Sequence, residues 1–191
     1  PQLFFQCRQI LSHLIWGGVL ERHPRLKVAF TEQGSGWVVG QIQSMDYTYE
    51  GSFLRRDIRD VVRMKPSEYF RRQCWLGSSI FSLAEIEARH DIGVDKIALG
   101  MDYPHHEGTW ALTPAGTIDY LQATLGVARV TAAEARAMLS ENVAALWGFD
   151  IDRLRPIADK VGPSMVQVLA VPTENLFPRG DVNKPLAAAV F

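Results

Sequence analysis

Three short apolar segments, each followed by a helical pattern, constrain the fold of this chain more than any other feature. They are residues 26–30 (LKVAF), 74–80 (CWLGSSI) and 95–102 (DKIALGMD). Apolar runs of this length, bounded by turn residues, are typical of strands that are buried on both faces. Their alternation with helices predicts an α/β protein built from parallel βαβ units, in either a doubly wound sheet or a (β/α) barrel.

Helices are predicted between and after these strands. Residues 81–93 carry signals at both ends, because Ser82 and Glu85 have capping-box spacing and Gly93 is a typical stop. Residues 131–148 show the same arrangement with a threonine cap. Apolar spacing and helix-start signals predict further helices over residues 3–20, 37–50, 113–126 and 153–161, and from Pro66 onward.

The chain is expected to have two parts. Residues 1–150 hold all three strands and form the main domain, while residues 151–191 carry five prolines and are expected to form one helix and an extended tail. Because the chain starts at Pro1 with a helix that has the pattern of a core element, we expect it to be a piece of a longer protein.

Charge and cysteine content narrow the class of function. The 20 basic and 21 acidic residues form no long run of one sign. The sequence therefore lacks the cluster of basic residues that proteins usually use to bind nucleic acid or an anionic membrane surface. No uncharged apolar run is long enough to cross a bilayer. Cys7 and Cys74 lack CxxC spacing, so neither a disulfide framework nor a cysteine zinc site is indicated. We expect a cytoplasmic protein with a small-molecule substrate.

Polar side chains follow each of the three strands. Glu32 comes after the first strand, Ser78 lies at the end of the second, and Asp102 ends the third. Because the carboxyl ends of parallel strands form one face, where ligands bind, these three residues are expected to converge. No glycine-rich phosphate-binding fingerprint follows any strand, so nucleotide binding is disfavoured.

Asp102 is the strongest candidate for chemistry. A carboxylate at the exit of a buried strand, with Pro104 making that exit rigid, is well placed to bind a divalent metal. The alternative is that Asp102 only caps the loop through backbone N–H groups, as aspartate often does at strand ends.

Residues 99–110, LGMDYPHHEGTW, carry a specific family resemblance. Together with GGVLERHPRLKVAFTEQGSGWV, PSEYFRRQCW, GVDKIAL and LSENVAALWGFD, they resemble the C-terminal half of the amidohydrolase-related proteins similar to aminocarboxymuconate-semialdehyde decarboxylase. The resemblance runs from about Ile15 to Asp150. It implies the C-terminal portion of a (β/α)₈ TIM barrel, with strands six to eight, and a catalytic divalent metal, zinc or alternatively manganese. It also implies that Asp102 ligates this metal and handles a proton.

Two departures from the family pattern affect the site. Glu32 stands where the decarboxylase branch has a catalytic histidine. It is expected to orient a metal-bound water, accept a proton or ligate a second cation. The alternative is that Glu32 forms an ion pair with Arg71 or Arg72. The family's other metal ligands would precede Pro1. His13, His23 and His90 do not replace them, so the chain alone is expected to bind metal weakly or not at all.

Five further residues are assigned around Asp102. His105 matches a family histidine and is expected to line the site or hydrogen-bond a metal ligand, the alternative being a loop histidine bonded to backbone. His106 is expected to face solvent. The expected substrate-binding residues are Trp37, Ser78 and Trp110, although tryptophans in such positions are more often part of the core.

These features favour a metal-dependent hydrolase acting on a small organic substrate. In this reaction the metal lowers the pKa of a bound water, and Asp102 takes its proton and passes it to the leaving group. Two alternatives remain: a non-oxidative decarboxylase of an aromatic or unsaturated acid, and a catalytically incomplete barrel fragment acting as a partner subunit. A partial barrel has open sheet edges, so we expect a homo-oligomer or the remainder of a longer chain as its partner.

Overall fold

A computed structural model describes residues 3–51, 56–78, 81–105, 108–111 and 115–174. Its described part contains a three-stranded sheet made of β1 (Val28–Thr31), β2 (Cys74–Ser78) and β3 (Ile97–Leu99). The strands lie in the order β1-β2-β3 and are all parallel. The predicted parallel α/β architecture is therefore confirmed, and it is compatible with part of a (β/α) barrel. The numbering of the strands as six to eight stays a prediction.

β1 and β3 are shorter than their apolar runs. Before β1, the buried side chain of Gln73 donates hydrogen bonds from Nε2 to the carbonyl oxygens of His23 (2.8 Å) and Leu26 (3.1 Å). These carbonyls are thereby used in a turn instead of a sheet ladder. Before β3, residues Val94–Lys96 form a 3₁₀ turn, so pairing begins only at residue 97.

Helices pack around this sheet, and most of them lie where the sequence predicts. Helices at Arg56–Val61 and Met165–Val168 were not predicted, and the second lies in the segment expected to be extended. In chain order the helices are α1 (Leu3–Trp16), α2 (Val19–Arg22), α3 (Val38–Glu50), α4 (Arg56–Val61), α5 (Pro66–Gln73), α6 (Leu83–Glu87), α7 (Arg89–Ile92), α8 (Thr117–Leu121), α9 (Ala132–Arg136), α10 (Asn142–Trp147), α11 (Ile151–Val161) and α12 (Met165–Val168). The predicted helices at 113–126 and 131–148 each contain a π-helical turn, Gln122–Gly126 and Ala137–Glu141. Residues 112–114 and 175–191, including most of the predicted tail, lie outside the described residues.

Both predicted capping boxes are present. Ser82 caps α6 with Glu85, and Thr131 caps α9 with Glu134, whose Oε2 accepts from the Thr131 N–H at 2.8 Å. Partial burial raises the pKa of Glu134, but hydrogen bonds from Thr131 and Arg89 outweigh it and leave that pKa below its ordinary value. The predicted helix over residues 81–93 is divided at Ala88 into α6 and α7, and Gly93, which ends α7, has φ 105°, a backbone conformation that favours glycine.

The core lies around β2, the central strand. Cys74 and Leu76 on β2 are completely buried, and Ile97 on β3 is 1% exposed. Helices and the segment after β2 cover them with large apolar side chains, of which the most deeply buried are Leu11, Ile15, Leu20, Tyr69, Phe81, Ile86, Tyr120, Leu125 and Met138. Burial of this apolar surface, at about 25 cal/mol per Å², is the main force that holds the helices on the sheet.

Two buried polar groups tie elements together inside this core. The Tyr120 hydroxyl accepts from the Phe81 N–H at 2.7 Å and donates to the Phe81 carbonyl at 3.0 Å, which joins α8 to the segment after β2. The Asn142 amide donates to the carbonyls of Val94 and Ile97, both at 2.7 Å, and so connects α10 to β3. Long-range bonds of this kind fix the positions of helices that burial alone leaves less defined.

Both cysteines are free and buried. Burial raises the pKa of the Cys74 thiol to about 12. Across the part of the chain that the structure describes, no helix combines the length and apolar character required to span a bilayer.

Candidate functional site

The residues after the strands lie along one edge of the sheet, because all three strands run in the same direction. The Glu32 N–H donates to the Gly77 carbonyl at 3.0 Å, so pairing between β1 and β2 continues to Glu32. Asp102 follows β3 by three residues at the same edge. Since β2 separates β1 from β3, the two strand ends are about 10 Å apart. The sheet thus brings both predicted carboxylates to its carboxyl edge.

Both residues also have an uncommon backbone conformation. Among the described non-glycine residues, positive φ occurs at Glu32 (58°), Asp102 (57°) and Arg129 (51°). This region is disfavoured for L-residues by roughly 1–2 kcal/mol and is found disproportionately at functional sites. Two of these three positions are the carboxylates selected from the sequence, which supports the interpretation that their placement serves a ligand.

A compact turn holds Asp102 against His105. The Asp102 Oδ2 lies 3.1 Å from His105 Nδ1, and the Asp102 carbonyl accepts from the His105 N–H at 2.8 Å. The Thr109 N–H then donates to the Met101 carbonyl at 3.1 Å, which closes the turn. The Asp102 side chain is 25% exposed and the His105 side chain 51%. The imidazole therefore orients one carboxylate oxygen while Asp102 stays within reach of solvent.

Aromatic side chains flank this turn. The Trp110 Nε1 donates to the His105 carbonyl at 3.0 Å, and the Trp110 ring meets the Tyr103 ring edge to face at 5.5 Å. Both rings are largely exposed. A Cβ atom at Gly108 would lie 2.7 Å from both the Met101 carbonyl oxygen and a Trp110 ring carbon, so this turn requires glycine there. Trp110 therefore contacts the turn that carries Asp102, and its role in substrate binding stays a prediction.

The loop after β1 is fixed by Glu85, a residue that sequence reasoning treated only as a helix cap. Its Oε1 accepts hydrogen bonds from the Ser35 N–H, the Ser35 hydroxyl (3.1 Å) and the Gly36 N–H (2.9 Å). Its Oε2 accepts from the Ser82 N–H at 2.8 Å and the Ser82 hydroxyl at 3.0 Å. One carboxylate therefore ties the loop that carries Glu32 to the start of α6.

Gln33 is a second residue that sequence reasoning did not select. Its Oε1 is buried and has no hydrogen-bond partner among the described residues. An unpaired buried acceptor costs about 1–3 kcal/mol, and such groups call for a specific explanation, of which a functional role is one. No sequence signal distinguishes this glutamine, because its burial depends on residues distant in the chain.

Several predicted residues are placed away from a ligand site or outside the described residues. Trp37 is only 4% exposed, packs edge to face on Phe30 at 5.7 Å, and donates from Nε1 to the Gly34 carbonyl. It therefore belongs to the core, which was the alternative considered for it, because β1 and α3 enclose it. Ser78 pairs with Leu99 through the backbone, but its side chain lies outside the described residues, as does His106.

The alternative role for Glu32, an ion pair with an arginine, is not observed. The Arg72 guanidinium donates to the Leu20 carbonyl at 2.7 Å and to the Gln73 side chain, and it stacks on Tyr69. Neither this arginine nor Arg71 pairs with Glu32 in the described structure.

The described residues do not by themselves provide a complete metal site. They contain no group of three His, Cys, Asp or Glu side chains arranged to hold a metal ion. His90, which was not expected to bind a metal, lies 3.1 Å from the Glu134 carboxylate. One carboxylate does not bind a divalent ion tightly, so Asp102 fits a metal only as one member of a larger set of ligands.

Comparison with known proteins places these features in a family. The sequence model of the family described as "Amidohydrolase" matches residues 7–149. Among solved structures, an amidohydrolase from Mycobacterium avium subsp. paratuberculosis K-10 is 26% identical, with a TM-score of 0.57. The match covers 76% of this chain and 34% of that protein's chain, so this chain spans about a third of its length. Comparison with curated protein sequences gives no significant match.

Proposed function

The chain belongs to the amidohydrolase family, and from this premise we propose that it forms the C-terminal part of a metal-dependent hydrolase domain that acts on a small organic substrate. The observation that carries the proposal is the contact between the Asp102 carboxylate and the His105 imidazole, 3.1 Å apart at the carboxyl edge of a parallel sheet. In barrels of this type, catalytic groups project from that edge.

Asp102 is proposed to act as the proton carrier. Its carboxylate takes a proton from the attacking water and returns it to the leaving group. His105 holds Oδ2 in a fixed direction, which reduces the conformational freedom lost when the carboxylate binds a ligand. Glu32, at the end of β1 on the same edge of the sheet, is proposed to orient the attacking water.

Asp102 is also proposed to supply one ligand to a divalent metal, zinc or alternatively manganese. Asp102 would hold such a metal through its carboxylate, and the metal would supply Lewis-acid activation of water near neutral pH. The remaining ligands would come from outside the described residues, in a longer chain or a partner. The cytoplasmic location and the homo-oligomeric or longer-chain setting expected from the sequence belong to the same proposal.

The test compares Asp102→Asn with Asp152→Asn in the full protein that carries this chain. Asp152 is an exposed aspartate whose side chain is 96% accessible, so its substitution controls for loss of charge. Hydrolysis of a panel of esters, lactones and amides is measured with added Zn²⁺ or Mn²⁺, and bound metal is measured by elemental analysis. We expect Asp102→Asn to lose at least about 100-fold in kcat/KM, as is usual when an acid–base group is removed, and to lose bound metal. Unchanged activity and metal content in Asp102→Asn would refute the proposal.

Two further assays separate the alternatives. Release of CO₂ from hydroxybenzoate-type acids, without hydrolysis of the panel, would favour a non-oxidative decarboxylase similar to aminocarboxymuconate-semialdehyde decarboxylase. The lack of a three-donor cluster among the described residues favours the other alternative, a partner subunit without its own activity. That alternative predicts neither bound metal nor turnover in the isolated full protein.

A further inference from the structure

Two consecutive residues in the loop after β1 are held in unfavourable states. Glu32 has φ 58°, in the left-handed region that residues other than glycine rarely adopt. Gln33 keeps its Oε1 buried without a hydrogen-bond partner among the described residues. Such features persist only where the surrounding structure restrains them, and they occur mainly at functional sites. The restraints on this loop therefore bear on the role of Glu32.

One restraint lies on the strand side of Glu32 and belongs to the sheet. The Glu32 N–H donates to the Gly77 carbonyl at 3.0 Å, which extends the pairing of β1 with β2. This bond fixes the peptide group that precedes the Glu32 Cα atom. Rotation about the N–Cα bond still decides where the side chain lies. A second fixed point, beyond residue 32, is needed to set the φ of Glu32.

Glu85 provides that second fixed point from α6. Its Oε1 accepts from the N–H groups of Ser35 and Gly36, the latter at 2.9 Å, and from the Ser35 hydroxyl at 3.1 Å. Hydrogen bonds to a carboxylate are about twice as strong as bonds between neutral groups. The carboxylate is itself fixed, because its Oε2 accepts from the N–H and the hydroxyl of Ser82. Glu85 therefore holds the loop from a rigid position.

Only Glu32, Gln33 and Gly34 lie between the two fixed points. Gly34 also has a positive φ, 60°, and its carbonyl accepts from the Trp37 Nε1 at 3.2 Å. With two rotatable backbone dihedrals per residue, a segment this short has few conformations that join two fixed ends. The observed one places Glu32 in the left-handed region. The conformation of Glu32 is therefore a consequence of where Glu85 holds the loop.

We propose that Glu85 is a positioning residue for the reaction, which sets the direction of the Glu32 carboxylate by holding the loop at Ser35 and Gly36. The inference rests on the proposed function, because it takes Glu32 as the residue that orients the attacking water. Left-handed conformers of non-glycine residues are disfavoured by an amount equal to about 5- to 30-fold in population. Release of the loop is expected to reduce the population with Glu32 in place by about this factor.

Glu85→Gln separates the two uses of this side chain. An amide has one oxygen, so glutamine accepts hydrogen bonds at one end, whereas the carboxylate accepts at both. Glutamine is sufficient for the helix cap, since Gln167 completes the same capping box with Ser164 on α12. The variant therefore keeps the cap of α6 and turns an NH₂ group toward the donors of the loop.

Glu134→Gln is the matched control. It makes the same change in the capping box of α9, where the carboxylate contacts Arg89 and His90 instead of the loop. This variant loses interactions that stabilise the fold but leaves the loop after β1 in place. It therefore shows how much activity falls through stability alone.

Steady-state kinetics of the full protein, on the esters, lactones and amides described above, test the proposal. We expect Glu85→Gln to lower kcat about 5- to 30-fold with KM unchanged, because the attacking water and not substrate binding depends on Glu32. Glu134→Gln is expected to keep the wild-type kcat. In a Glu32→Gln background, Glu85→Gln is expected to have no further effect, since nothing remains to be positioned. An unchanged kcat in Glu85→Gln, or an equal loss in the Glu32→Gln background, would overturn the positioning role.

A crystal structure of the Glu85→Gln protein gives a readout that does not require turnover. Residue 32 is expected to leave the left-handed region, which moves its carboxylate. A variant structure in which Glu32 keeps its φ and its position would overturn the inference. The proposed function is tested separately by Asp102→Asn, so a failure of the positioning role leaves the assignment of Asp102 intact.

Discussion

Replacement of Glu85 by alanine is expected to release the loop that carries Glu32. The substitution removes a carboxylate that accepts three hydrogen bonds from Ser35 and Gly36 and two from Ser82. The helix-capping part costs about 1 kcal/mol. The loop part costs about 3 kcal/mol, because Ser35 is fully buried and an unpaired buried N–H costs about 1–3 kcal/mol in addition to the lost bonds.

Gln167→Ala is the matched control for this prediction. Gln167 completes a capping box on α12 with the same geometry, its Oε1 accepting from the Ser164 N–H at 2.8 Å, but its side chain holds no distant loop. We expect Glu85→Ala to lower the free energy of unfolding by about 4 kcal/mol and Gln167→Ala by about 1 kcal/mol. For a chain of this size these losses correspond to falls in Tm of about 8–16 °C and 2–4 °C.

Urea and thermal unfolding, followed by circular dichroism, measure both losses. Hydrogen exchange at Ser35 and Gly36 should accelerate in Glu85→Ala and remain at the wild-type rate in Gln167→Ala. Equal losses for the two variants, within about 0.5 kcal/mol, would show that Glu85 acts as a helix cap alone and that the loop is held by other contacts.

Three further predictions concern buried or hydrogen-bonded groups. Tyr120→Phe should cost about 2–4 kcal/mol in urea unfolding, since the Phe81 N–H and carbonyl lose their partner inside the core; a cost below about 1 kcal/mol would contradict this account. Cys74, with its pKa raised by burial to about 12, should not react with a disulfide reagent at pH 8 until urea is added, and rapid labelling of the native protein would contradict its burial. The pKa of Glu134 is lower in the folded chain than its unfolded value of about 4.5, so its ionised carboxylate stabilises the fold above that pH and stops doing so as pH falls through the folded pKa. The stability lost in Glu134→Gln at pH 7 should therefore shrink below about pH 4.5. A loss of stability that is constant from pH 7 to pH 3 would refute this prediction.

Local sequence patterns predicted much of the fold. The capping boxes at Ser82 and Thr131 form as expected, because a cap needs only residues within three positions of one another. The apolar runs located all three strands, since strands buried on both faces require continuous apolar sequence. The strand ends were less accurate, because the side chain of Gln73 binds carbonyls about 50 residues away and stops β1 from starting earlier.

The candidate site was predicted in part. The sequence located Glu32 and Asp102 at strand ends, and a parallel sheet necessarily brings such ends to one edge. The contact between Asp102 and His105 spans three residues and so was accessible to local reasoning. The role of Glu85 was not, because its loop partners lie about 50 positions away and nothing in a capping box indicates a second use.

Local sequence patterns indicated most of the secondary structure and the family, since apolar periodicity, caps and the LGMDYPHHEGTW segment are properties of neighbouring residues. Tertiary structure alone decided which side chains are enclosed. It buried Trp37 between β1 and α3 while it left Trp110 exposed beside Asp102. It also left Leu154 and Ile157 of α11 exposed, whereas Leu11 and Ile15 of α1, which have similar spacing, are buried. Burial depends on contacts between segments that are far apart in the chain, and no local pattern records which of those contacts form.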